Sequence, residues 1–120
     1  MIHDRKELGK WGEARAEQFL REKGFHLIAR NWRTRGGEID LIGMAGGTLV
    51  FVEVRTRTST MYGTPSESVD WRKQKKLRQL SLAFLQQYEK PVASFRFDVV
   101  SILVHSGNTQ VEITHIEHAF

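Results

Sequence analysis

The chain has 120 residues, of which 40% are hydrophobic and 27% are charged, and its formal net charge is +4 at pH 7. Because it contains no cysteine, disulfide scaffolds and thiolate metal sites are excluded, and a reducing compartment is permitted. No apolar run approaches the roughly 18 residues of a membrane-spanning helix, and no secretory signal opens the chain, so we expect a cytoplasmic protein with one domain over residues 1–120 and no membrane partner.

The first half of the chain predicts a helix followed by three strands. Apolar residues recur at the helical period over residues 4–23, and Gly24 follows as a natural stop. Three runs rich in apolar residues come next, and they predict strands at 25–32, 37–44 and 48–55.

The second half predicts another helix and two more strands. Thr64 and Pro65 fit the N-cap and the first position of a helix that runs to about Tyr88. We therefore expect an α/β fold in the order α-β-β-β-α-β-β, with a mixed sheet of about five strands flanked by helices. The last two strands are predicted at 95–104 and 109–117.

Strands two and three form a predicted hairpin about the two glycines at 46–47. That register places Asp40 directly opposite Glu53, and Glu38 opposite Arg55. Like charges at directly opposed positions destabilise a sheet, whereas paired carboxylates suit a hard divalent cation such as Mg²⁺. The other face of the hairpin should be apolar, because side chains alternate, and it should carry Ile39, Leu41, Val50, Val52 and Val54.

The second helix carries a cluster of cations that suits a polyanionic partner. A solvated helix face is the alternative interpretation. Trp71, beside this cluster, either stacks on a nucleic-acid base or anchors the start of the helix. The candidates for gripping a nucleic-acid backbone are Lys73, Lys75, Lys76 and Arg78.

Two other groups of polar residues are expected to be structural. Arg96 and Asp98 lie two apart on a strand and share a face, which favours an ion pair. The five histidines show no metal-ligand spacing with one another and are expected to be ordinary surface or strand residues.

Several motifs in order resemble a known family. The segments 37–40 (GEID) and 51–55 (FVEVR) resemble the nuclease signature of an Asp, a spacer and Glu-x-Lys. Together with Gly9-x-x-Gly12-Glu13, Asn31-x-Arg33 and the segment 96–100 (RFDVV), they identify the chain as similar to the bacterial YraN family. That family is similar to archaeal Holliday-junction resolvases of the restriction-endonuclease-like superfamily.

The resemblance implies a nuclease that uses Mg²⁺ or Mn²⁺ to hydrolyse phosphodiester bonds in branched or otherwise structured DNA. It implies metal ligands at Asp40, Glu53 and the carbonyl of Val54, with Glu13 completing the site. It also implies a homodimer, because a symmetric junction suits a two-fold enzyme.

Arg55 departs from the resembled pattern, which has lysine at this position. Arginine stays protonated and cannot act as a general base, although it can hold a phosphate and stabilise a transition state. Two alternatives therefore stay open: a nucleic-acid-binding module that has lost catalysis, and a protein-interaction module in which the hairpin charges are structural.

Overall fold

The computed structural model describes residues 5–58, 69–105 and 110–120. Two helices, α1 (Arg5–Glu22) and α2 (Trp71–Gln87), flank a five-stranded sheet. No helix among these residues is long and apolar enough to cross a membrane. The strands are β1 (His26–Thr34), β2 (Gly37–Ala45), β3 (Thr48–Arg57), β4 (Ser94–Val104) and β5 (Val111–Ile116).

The sheet is mixed, and its strands lie in the order of the sequence. Neighbouring strands are antiparallel except β3 and β4, which are parallel. A parallel pair needs a crossover connection, and α2 lies in the connection between β3 and β4. The predicted element order, mixed sheet and flanking helices are therefore confirmed.

The two helices cover two separate apolar clusters. The cluster of α1 contains Ala16 and Leu20 with Leu41, Val50 and Val52 of the hairpin. The cluster of α2 contains Leu77, Leu80 and Phe84 with residues of all three central strands. Because β2 and β3 contribute to both clusters, these strands are buried on both sides, which explains their nearly continuous apolar character.

One apolar residue of the hairpin packs on the side opposite to the predicted one. Ile39 was expected to share a face with Leu41, yet Ile39 belongs to the cluster of α2 and Leu41 to the cluster of α1. The regular pairing of β2 with β3 ends at Leu41 and Val52. Strict alternation therefore does not continue from Leu41 to Ile39.

The second helix begins later than predicted. Val69 and Asp70 are not helical, and Asp70 is the N-cap of α2, with its side chain accepting the backbone N–H of Lys73 at 2.9 Å. A side-chain oxygen that satisfies an unpaired N–H of the first turn fixes where a helix starts. The predicted start at Thr64 and Pro65 lies outside the described residues, and a continuous helix from there is wrong.

The ion pair of Arg96 and Asp98 is confirmed. The Nε and Nη2 atoms of Arg96 lie 2.9 and 3.2 Å from the carboxylate of Asp98, and Nε2 of His115 lies 2.8 Å from it. The pKa of Asp98 is lowered: burial opposes this, and it is outweighed by the hydrogen bonds from His115 and Arg96. Every oxygen of this buried carboxylate is therefore occupied by partners within the fold.

Candidate functional site

The hairpin register is as predicted along the described ladder, but the ladder ends one pair before the acidic residues. Cα partners run from Ala45 and Thr48 to Leu41 and Val52. Beyond them, the backbone N–H of Val54 donates to Oδ2 of Asp40 at 2.8 Å. Because this side-chain bond uses the N–H of Val54, Asp40 is fixed at the point where regular pairing of the two strands ends.

The predicted cross-strand pair of Glu38 and Arg55 also lies beyond the ladder. Glu38 is instead the Cα partner of Arg33 on β1, whose Nε lies 3.6 Å from Oε1 of Glu38. Nε of Arg55 lies 3.4 Å from Oε2 of Glu53, two residues away on the same strand. The guanidinium of Arg55 therefore lies beside Glu53, one of the two acids of the predicted metal site.

A polar cavity of about 340 Å³ opens beside the end of the ladder. Four carboxylates, three cations and two leucines of α2 are among the residues that line it. The acids come from α1, β2 and β3, and the cations from β3 and α2. Its lining residues are Glu13, Gly37, Glu38, Asp40, Glu53, Val54, Arg55, Lys73, Lys76, Leu77 and Leu80.

The pKa of Asp40 is raised from its ordinary 3.8 to about 8. Burial is the main cause, followed by the negative charge of Glu53, and the charge of Glu13 adds to the rise. The hydrogen bond from Val54 opposes it. At neutral pH without a bound cation, Asp40 therefore keeps its proton, because an ionised Asp40 would lose its hydration and be repelled by the neighbouring carboxylate of Glu53.

Glu53 is the most buried acid of the site, with its side chain 5% exposed. Two cations reach its Oε2 atom, namely Nε of Arg55 and Nζ of Lys73, each at 3.4 Å. With both carboxylates ionised, Oε1 of Glu53 has no hydrogen-bond partner among the described residues. A buried carboxylate oxygen without a partner is costly, and it marks a position where a cation would be favourable.

Glu13 reaches the cavity because α1 packs closely on β3. A Cβ atom on Gly12 would lie 2.9 Å from Cβ of Thr56, so only glycine permits this approach. The Nδ2 atom of Asn31 donates to Oε1 of Glu13 at 2.8 Å. Asn31 has a positive φ of 50°, a conformation that asparagine tolerates better than most residues.

The four candidate basic residues of α2 divide into two groups. Lys73 and Lys76 line the cavity, and a Cβ on Gly37 (φ +140°) would lie 2.9 Å from Cε of Lys76. Lys75 is exposed to solvent and is not part of the lining. Arg78 lies over the rings of Phe97 and Phe120, 5.6 and 5.5 Å from their centroids. The structure therefore brings two of the four cations to the acidic residues.

Two features of the site escaped sequence reasoning. Asn31 was only part of a motif, and its bond to Glu13 depends on the backbone conformation of one residue. Lys73 was considered a contact for the nucleic-acid backbone rather than a neighbour of Glu53. The spacing of Lys73 was the missing signal, because it lies one turn before Leu77 and therefore borders the buried face of α2.

The donor set fits a hard divalent cation. Asp40 and Glu53 supply carboxylate oxygens. Without a cation, the proton on Asp40 hydrogen-bonds to Glu53, and a bound cation would take the place of that proton. Within the described ranges, no group of three or more His, Cys, Asp or Glu side chains could hold a metal. Such an ion would need the backbone carbonyl of Val54 and water as further ligands, which suits Mg²⁺ because it keeps several waters.

Comparison with known proteins identifies similar chains along nearly the whole length. The family described as "Uncharacterised protein family UPF0102" matches residues 12–102. A UPF0102 protein of Nocardia farcinica is 43% identical over 119 residues, which are 99% of this chain and 93% of that protein. A UPF0102 protein of Rhodococcus opacus is 45% identical over 113 residues, covering 94% and 95%. One from Pelotomaculum thermopropionicum is 40% identical over 120 residues and covers both chains completely.

Proposed function

The chain belongs to the uncharacterised protein family UPF0102, the YraN family that its motifs predict, and we propose that it is a metal-dependent nuclease. The proposed reaction is hydrolysis of phosphodiester bonds in branched or structured DNA, with Mg²⁺ or Mn²⁺. One observation carries the proposal: Glu53 is buried beside Asp40 in a cavity that Arg55 and Lys73 also enter.

A structural role explains this arrangement poorly. Packing acids together in a partly buried cavity lowers the stability of the fold. Either one carboxylate must keep a proton, or two ionised carboxylates repel each other. The fold satisfies its other buried acid, Asp98, with an arginine, a histidine and a backbone N–H. Raised acid pKa values in a cleft are common at sites that act chemically.

The protein's own groups supply the metal ligands. Asp40 and Glu53 would hold the ion through their carboxylates, with the carbonyl of Val54, and Glu13 would complete the acidic wall. Asp40 must first give up its proton, so metal binding and deprotonation are linked. When bound, such an ion activates water and neutralises charge that builds on the phosphate.

Arg55 and Lys73 would stabilise the reacting phosphate. The Arg55 guanidinium can hold two phosphate oxygens at once, and the Lys73 ammonium supplies a compact charge beside the same oxygen of Glu53. Both side chains are partly exposed, at 36% and 38%, so an incoming phosphate can reach them. Lys73 thereby supplies from α2 the primary amine that the resembled signature places at the position of Arg55.

Three wider proposals concern the contacts with DNA outside the cavity, the oligomeric state and the location of the protein. Lys76 extends the positive wall of the cavity towards the solvent, while Lys75 and Arg78 lie on other sides of α2 and would contact DNA only at its flanks. A homodimer would match a two-fold symmetric junction, and the cytoplasm is the proposed location because it contains the DNA.

A nucleic-acid-binding module without catalysis is the second candidate, and Arg55 favours it. Arginine cannot exchange a proton with water during the reaction, so the substitution removes one function of the resembled lysine. On this alternative, Arg55 and Lys73 neutralise Glu53 and present phosphate contacts. DNA binding would then persist when Asp40 is replaced, and no cleavage would occur with any metal.

Cleavage of end-labelled DNA tests the proposal. Four-way junctions, flaps, single strands and duplexes would be incubated with the protein and Mg²⁺ or Mn²⁺, or with EDTA. The proposal predicts cleavage of structured substrates that EDTA abolishes. Salt-dependent binding without any cleavage would overturn it in favour of the second candidate.

A further inference from the structure

Trp71 is unusually exposed for a tryptophan. Its side chain is 67% accessible to solvent, whereas Trp11 and Trp32 are both partly buried against the apolar clusters. Trp32 also packs edge-on against Phe84, with ring centroids 5.4 Å apart. The expectation that Trp71 anchors the start of α2 is wrong, because Asp70 fixes that start and the indole lies in the solvent.

One cation lies against the exposed indole, and others follow it along α2. The Arg72 guanidinium carbon lies 5.7 Å from the ring centroid of Trp71, and Lys73, two residues along the same turn, enters the carboxylate cavity. The whole of α2, from Trp71 to Gln87, contains no Asp or Glu. The carboxylate of Asp70, the residue before Trp71, is occupied by the backbone N–H of Lys73. An open aromatic ring at the start of a helix whose own charges are all positive is complementary to a polyanion that carries flat bases.

We propose that the indole of Trp71 stacks on an unpaired base next to the phosphate held in the cavity. The preferred substrate then has single-stranded nucleotides at the point of cleavage, as flaps and incompletely paired branch points do. A base within a continuous duplex is stacked on its neighbours on both sides, so its face is closed to an indole. This inference rests on the proposed function and narrows it to a substrate class.

A nucleic acid fits this surface better than a protein partner does. Protein interfaces bury their aromatic anchors in pockets where charge is depleted, whereas Trp71 has an arginine against its ring. Aromatic stacking combined with a positively charged groove is the usual means of binding single strands.

Binding in EDTA tests the inference without depending on cleavage. A labelled thymidine oligonucleotide and a blunt duplex of equal length would be titrated with the full chain at low salt, and dissociation constants read from fluorescence anisotropy. The variants are Trp71→Ala, Trp71→Phe and the matched control Leu82→Ala, since Leu82 is a second exposed apolar side chain of α2, at 56%.

The inference predicts that Trp71→Ala weakens single-strand binding by about 5- to 150-fold, the range expected for one base stacked on an aromatic ring. Trp71→Phe should keep most of the affinity, and duplex binding and Leu82→Ala should stay within about twofold. An abasic oligonucleotide should bind wild type and Trp71→Ala equally, because it offers no base to stack. Equal losses on both DNA forms, or no loss at all, would overturn the inference.

The two proposals can fail separately. If Trp71→Ala selectively weakens single-strand binding and no DNA is ever cleaved, the stacking surface stands and the nuclease proposal fails. If DNA is cleaved and Trp71→Ala has no effect on binding, the stacking inference alone is overturned.

Discussion

The Nζ atom of Lys73 lies 3.4 Å from Oε2 of Glu53, so a lysine of α2 faces the carboxylate that precedes Arg55 in the nuclease-like motif. The Nε atom of Arg55 lies at the same distance from that oxygen. Glu53 therefore has a cation from its own strand and another from the helix that crosses the sheet. A site with arginine in the motif position still contains a primary amine.

The role of Lys73 can be separated from general charge. We expect Lys73→Ala to lower cleavage rates by about 10²- to 10³-fold, the usual cost of removing one group that stabilises transition-state charge. Lys75→Ala is the matched control, because Lys75 is exposed and outside the cavity lining, and it should change the rate less than about threefold at saturating DNA. Single-turnover kinetics measures both, and equal losses in the two variants would assign Lys73 to DNA binding alone.

The stability of the metal-free protein should fall as pH rises. The folded state binds the Asp40 proton more tightly than the unfolded chain, because the pKa rises from 3.8 to about 8. Its contribution is therefore complete below pH 3.8 and is lost as pH rises through about 8. One linked proton gives a slope of about 1.4 kcal/mol per pH unit between those two pKa values.

Urea unfolding in EDTA between pH 5 and 8 would measure this slope, with roughly linear extrapolation to water. Asp40→Asn should flatten it, because the amide keeps the shape without the titrating group. Asp98 does not interfere, since its lowered pKa places its loss of stability at acidic pH. A slope unchanged in Asp40→Asn would show that another group titrates.

Divalent cations should stabilise the fold through the same residues. A ligand that binds only the native state at about 100 times its dissociation constant adds about 2.7 kcal/mol. We expect Mg²⁺ and Mn²⁺ to raise the melting temperature of the wild type at pH 8, and EDTA to reverse the shift. The double variant Asp40→Asn/Glu53→Gln should show no metal-dependent shift, and an equal shift in that variant would place the metal elsewhere.

Close packing of α1 on β3 should be sensitive to one methyl group. Gly12→Ala places a Cβ 2.9 Å from that of Thr56, so we expect a loss of about 1–3 kcal/mol from overpacking and reduced cleavage as Glu13 moves away. Gly9→Ala is the matched control, because nothing lies within 4 Å of a Cβ there, and alanine should raise stability by up to about 1 kcal/mol.

A second substitution tests whether this contact is the cause. Removing the whole Thr56 side chain, including its Cβ, in Gly12→Ala/Thr56→Gly should make the alanine at position 12 cost much less stability and activity than it does beside threonine. Thermal unfolding and cleavage rates of the four proteins form a double-mutant cycle. Additive losses in the cycle would show that the helix and strand do not meet as described.

The hairpin was predictable from the sequence because its information is local. Two glycines at the turn and the alternating apolar residues fixed the register of Leu41 with Val52, which the structure confirms. Alternation failed at Ile39 because the pairing ends beside it. A sequence pattern shows that side chains alternate along a strand. It does not show where a side chain such as Asp40 accepts a backbone N–H in place of a hydrogen bond between the strands.

The contribution of α2 to the site was only partly predictable. Its apolar face is readable at the helical period, and Leu77, Leu80 and Phe84 on that face are buried. Lys73 and Lys76 lie one turn before Leu77 and Leu80, so helical spacing places them beside that face, but which acids they meet depends on how the helix packs on the sheet. The rings of Phe97 and Phe120 under Arg78 come from β4 and the chain end, contacts between segments far apart in sequence.

The most direct test of the central claim is single-turnover cleavage of a labelled flap or junction with Mg²⁺ by four proteins: wild type, Asp40→Asn, Glu53→Gln and Glu112→Gln. Glu112 is an exposed acid, 59% accessible, which contacts His105 outside the cavity, so it controls for loss of one negative charge. The nuclease proposal predicts that Asp40→Asn and Glu53→Gln each lose at least about 10²-fold in rate, while Glu112→Gln keeps wild-type activity. Cleavage that persists in both site variants, or is absent from the wild type with DNA still bound, would contradict it.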